Sequence, residues 1–154
     1  MAPQSLEDKD FMSKVPYLSA VGSLQYLAMT RPDIAHSVAY LARFNANPGP
    51  AHWNALKHLF QYIKGTSDHK LTYRCDLARS EPFITYTEAS HGDYVDTGRS
   101  TASFMTMMAG GAIDWYSKLQ TIVALSTTEA EYMAAIEAVE EIAYTVVQNR
   151  MVKS

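Results

Sequence analysis

The feature that most constrains this chain is a change of hydrophobic period near residue 70. Before it, apolar residues recur at intervals of three and four, as on one face of a helix. After it they alternate, as on one face of a sheet. No single element satisfies both periods, so a helical part must precede a sheet part. In 16-PYLSAVGSLQYLAMT-30, Tyr17, Val21, Leu24, Leu27 and Ala28 share a stripe, slightly weakened by Gly22. In 30-TRPDIAHSVAYLARFNA-46 the stripe is Ile34, Val38, Leu41 and Ala42. Thr30 and Asp33 stand at capping-box spacing, and Pro32 falls in the first turn, where its missing N–H is harmless. A turn at 47-NPGP-50 leads into 51-AHWNALKHLFQYIKG-65, where Trp53, Leu56, Leu59, Phe60 and Ile63 repeat before a stop at Gly65. The expectation is a flexible N-terminus over 1–12 and a small three-helix segment over 13–68.

The remainder, 69–154, reads as strands and then one helix. Residues 70-KLTYRC-75 and 83-FITYTE-88 alternate. The segment 101-TASFMTMMAGGAIDWYS-117 holds two apolar runs split by Gly110-Gly111, a hairpin signal. The stretch 118-KLQTIVALS-126 extends or follows the second run. Ser126 and Glu129 form a capping box. Behind it, Tyr132, Ala135, Ile136, Val139, Ile142, Ala143 and Val146 make a stripe of about six turns. The fold class expected is α+β: three helices, a three-stranded antiparallel sheet, and one long C-terminal helix.

Composition narrows the function classes. A 47% apolar, 19% charged chain of 154 residues can bury a real core. Lys and Arg total 13 against 16 Asp and Glu, a net charge of −3. Nucleic-acid binders are clearly basic, so any grip here must be local and salt-sensitive. The single cysteine, Cys75, excludes an intrachain disulfide and a cysteine zinc cluster. The N-terminal MAPQSLEDKD has no apolar signal core, and no apolar run approaches the ~18 residues of a membrane span. The expectation is an intracellular protein, cytoplasmic or nuclear, with no membrane partner.

Four pieces carry a resemblance when read in order: VGSLQYL, TRPDI, HW followed by KGT, and 117-SKLQTIVALSTTEAEY-132. From about residue 13 to about 150 the chain resembles Ty1/copia retrotransposon polyproteins. It is similar to their junction between the C-terminal helices of reverse transcriptase and the ribonuclease H domain. The resemblance implies a ribonuclease H-like sheet over 69–154. It implies cleavage of the RNA strand of an RNA/DNA hybrid by two divalent metals about 3.5–4 Å apart. Hard oxygen ligands would make these Mg²⁺ or Mn²⁺. In that family about four carboxylates hold the metals. The first ends a strand in a motif like YSDADWAGD, and the second lies in STEAEY.

Matched without gaps, Glu88 takes the first catalytic position, and Ser90 and His91 stand where the family has Asp and Trp. Glu131 takes the second catalytic position. The sequence ends at Ser154, so the third and fourth positions are expected to be absent and the domain truncated. A longer carboxylate at position 88 and a misplacement of ~1 Å would themselves cost ~10²-fold. The expected product is a polymerase/ribonuclease H segment that is catalytically dead or weak. One alternative is an active nuclease with metal at Glu88 and Glu131 assisted by Asp93 or by a second copy of the chain. Another is a domesticated nucleic-acid- or protein-binding module.

Each candidate has a plainer role beside it. Glu88 could be a solvated strand carboxylate and Glu131 an ordinary helix glutamate. Glu129 is explained by the capping box, and Asp93 and Asp96 by the turn. Lys57, Lys64, Lys70, Arg74 and Lys118 could contact phosphates or simply be a solvated basic face. The five histidines lack ligand spacing, and Ser90-His91 with Asp93 cannot form a triad. Met105, Met107 and Met108 read as strand core. An open edge on 83–88 and an uncovered C-terminal helix lead to the expectation of a two-fold homodimer.

Overall fold

A computed structural model of the chain describes residues 5–74 and 84–151, with side chains as far as residue 144. The chain divides into two compact units between Thr72 and Tyr73. It is an α+β protein: four helices, a three-stranded antiparallel sheet and a long fifth helix.

The first unit holds α1 (Leu6–Ser13), α2 (Tyr17–Ala28), α3 (Pro32–Ala42) and α4 (Pro50–Gly65). The first of these corrects the flexible N-terminus expected over 1–12, of which residues 1–4 lie outside the described residues. Ser5 caps α1 by accepting from the Asp8 amide at 3.0 Å. Glu7 and Asp8 sit in its first turn, where the helix dipole favours anions. Met12 joins the core. That core is otherwise the expected stripes: Tyr17, Val21 and Leu24 from α2, Ile34, Val38 and Leu41 from α3, Leu56 and Leu59 from α4. Val21, Ile34 and Leu56 are wholly buried, each worth about 1.5–3 kcal/mol. Phe60 departs from its stripe and is exposed. Tyr17 is buried whole because its hydroxyl donates to the Leu41 carbonyl at 2.9 Å. Burial raises its pKa to about 12.

The capping box expected at Thr30 and Asp33 does not form. Arg31 is the N-cap of α3 and no side chain caps it. Thr30 donates backwards to the Leu27 carbonyl, and Asp33 is held by Arg31. A charged bidentate fork outcompetes a single amide for the same carboxylate.

The second unit holds β1 (Ile84–Tyr94), β2 (Arg99–Met108), β3 (Gly111–Leu119) and α5 (Thr127–Met151). The sheet order is β1-β2-β3, antiparallel throughout. Residues 70–74 are not a strand, although the Arg74 amide donates to the Ala109 carbonyl at 2.7 Å. Cys75 and Phe83 lie outside the described residues. The strand expected to end at Glu88 continues to Tyr94, through a bulge between Ser90 and Tyr94. Gly92 sits in that bulge at φ +64°, and its amide donates to the Ser100 hydroxyl. The hairpin turn between β2 and β3 is Ala109-Gly110, one residue earlier than expected. Both residues have positive φ, +53° and +77°, as a hairpin matching the sheet's twist requires.

The apolar stripe expected to bury α5 is corrected. Ala130, Ala134 and Ala138 are buried, at 0–1% exposure. Tyr132, Ile136 and Val139 are exposed, at 68%, 59% and 64%. The helix lies on β1 and β2, and small alanines let its backbone approach the sheet closely. Val146 falls outside the described side chains.

Candidate functional site

The register of the sheet decides where Glu88 points. Side chains alternate between faces along a strand. Glu88 pairs with Ser103, and Thr87 with Phe104, which pairs in turn with Tyr116. Tyr116 donates to Glu137 of α5 at 2.6 Å. The row Thr87–Phe104–Tyr116 therefore faces the helix, and the row Glu88–Ser103–Ser117 faces away from it. Glu88 is mid-strand rather than strand-terminal, and exposed.

Asp93 shares Glu88's face. It is part of β1 rather than of the turn, and it accepts a hydrogen bond from the Thr101 hydroxyl. Thr101 and Ser103 are two positions apart on β2, or about 6.6 Å along the strand. Asp93's carboxylate thus ties the bulge to β2.

Glu131 lies in the first turns of α5, exposed, beside the buried Ala130. The helix start is well built. Ser126 accepts from the Glu129 amide at 3.1 Å, and Glu129 reaches back to the Leu125 amide at 2.6 Å. Two otherwise orphan amides are satisfied, as the capping box implies, with the return bond one residue further out. The loop ahead of it is pinned by His91, whose Nε2–H donates to the Ala124 carbonyl at 3.1 Å.

A two-metal centre needs carboxylates converging on one point. Here the sheet separates the Glu88 face from the face carrying α5 and Glu131. Among the described residues no group of three or more His, Cys, Asp or Glu could hold a metal ion. Among the described residues the donors do not converge as Mg²⁺ or Mn²⁺ in that arrangement would need.

The five basic candidates divide between the units: Lys57, Lys64 and Lys70 in the first, Arg74 and Lys118 in the second. Lys118 is engaged, 3.3 Å from Glu137 and 4.7 Å above the Tyr116 ring. That cluster was not legible in the sequence. Burial, then the bond to Glu137 and the nearby Glu141 and Glu140, pushes the Tyr116 pKa well above the usual tyrosine range.

Two further arrangements explain motifs that the sequence offered without a role. Arg31, of TRPDI, is 9% exposed. Its Nε and Nη2 donate to the two Asp33 oxygens at 2.9 and 2.7 Å. Its Nη1 and Nη2 donate to the Thr66 carbonyl and hydroxyl at 3.1 and 2.7 Å. Tyr62 donates to Asp33 at 3.0 Å. The fork locks the start of α3 to the end of α4, which accounts for the Thr of KGT. Arg31's hydrogen bonds hold the Asp33 carboxyl down at about 2. In the second unit Gln120, fully buried, donates to the Ala130 carbonyl at 2.9 Å and ties the end of β3 to α5.

These features define an α+β chain of a helical unit and a sheet-and-helix unit, with its acidic residues spread over separate faces. The chain belongs to the family of Ty1/copia-type retrotransposon Pol polyproteins. It is 47% identical over 143 residues to the retrovirus-related Pol polyprotein from transposon TNT 1-94 of Nicotiana tabacum, covering 92% of this chain and 10% of that polyprotein. It is 36% identical over 126 residues to the Pol polyprotein from transposon RE2 of Arabidopsis thaliana, covering 82% of this chain and 8% of that one. It is also 41% identical over 143 residues to the secreted RxLR effector protein 161 of Plasmopara viticola, covering 92% of this chain and 99% of that protein. The chain thus spans about a tenth of the polyproteins and nearly all of the third relative. No family model matches it, and no solved structure does. Among the described residues no helix is long and apolar enough to cross a membrane.

Proposed function

We propose that the chain is a retroelement-derived segment spanning the end of the reverse transcriptase and the start of a ribonuclease H-like domain, and that these 154 residues alone do not support hybrid cleavage. What supports this reading is the sheet register, which turns Glu88 away from the face on which α5 packs. A carboxylate turned away from the helix cannot share a metal with one on it. Purified chain with Mg²⁺ or Mn²⁺ should cut an RNA/DNA hybrid no faster than background. Robust cleavage that is lost in Glu131→Gln would overturn the reading and favour an active nuclease.

A second reading draws on the relative from Plasmopara viticola, 99% of whose length the chain covers. On it the segment acts alone as a binding module, in the cytoplasm or nucleus. An electrophoretic shift with a hybrid duplex that weakens with salt would identify nucleic acid as the partner. Lys57, Lys64, Lys70 and Arg74 are the contacts to replace, and an unshifted duplex leaves a protein partner.

Assembly belongs to the same proposal. Among the described residues β1 pairs with β2 alone, which leaves its outer edge, beside the exposed Ile84 and Tyr86, open to a further strand. Edge-to-edge pairing of two copies is isologous and closes at a dimer burying at least ~1,000 Å². Sedimentation should give a dimer at tens of micromolar that Tyr86→Lys dissociates. A monomer throughout that range overturns it.

A further inference from the structure

We draw no further inference here: the strongest candidate, the exposed apolar face of α5 formed by Tyr132, Ile136 and Val139, lies opposite the alanines that meet the sheet, and nothing in the structure shows what covers it.

Discussion

Replacing Arg31 with Ala should unfasten α3 from α4. The guanidinium makes four hydrogen bonds, two to Asp33 and two to Thr66. Removing one partner of a fully buried pair costs ~3–5 kcal/mol. The Asp33 side chain is 31% exposed, so water recovers part of the loss. About 2–3 kcal/mol is expected. Arg31→Lys keeps the charge but not the planar fork, and should lose ~1–2 kcal/mol. Asp33→Asn is bounded by the drop from 3.8 to about 2. At 1.36 kcal/mol per unit, and discounted for solvent, that is ~1–2 kcal/mol. The pH sign follows. Asp33's folded pKa lies below its unfolded value, so its contribution is complete above 3.8 and is lost as pH falls to about 2. Urea unfolding followed by Trp53 fluorescence, in a Trp115→Phe background, reads the first unit alone. An Arg31→Ala protein within ~0.5 kcal/mol of its parent would refute the clamp, as would Arg31→Lys unfolding like wild type.

Three further outcomes are expected. His52 is buried, stacks on Phe44 at 3.9 Å and accepts from the Gly49 amide through Nδ1 at 2.9 Å. Burial lowers its pKa, so the first unit should lose stability as pH falls below 6.5, and His52→Ala should remove that dependence in urea melts across pH. Ala109, at φ +53°, should be replaceable by Gly with a gain of ~0.5–1 kcal/mol, read as a raised urea midpoint of the second unit. Ala134→Leu should overpack the helix against the sheet and cost ~1–3 kcal/mol, whereas a neutral result would mean that α5 does not pack through its alanines.

The helical stripes of α2 to α4 were legible because Leu, Ile and Val dominate them at the helical period. The buried face of α5 was not, for the inverse reason. Its alanines signal weakly, while Tyr132, Ile136 and Val139 signal strongly from the opposite side. Asp33 had two partners within reach, and spacing alone does not tell that the Arg31 fork takes it. Glu88 shows the sharpest limit. A motif match assigns a position along a strand, but a shift of one residue in the pleat reverses the face. The bulge at Gly92, which brings Asp93 under Thr101, leaves only a glycine in the sequence.

The most direct test of the account is whether Glu88 and Glu131 can share a cation. Amide resonances of isotopically labelled chain, titrated with Mn²⁺, report proximity to the bound ion through paramagnetic broadening. No joint broadening around residues 88 and 131 is expected below about 1 mM Mn²⁺, because Glu88 faces away from the helix that carries Glu131. Broadening of both regions with one midpoint in that range, abolished by Glu131→Gln, would contradict it.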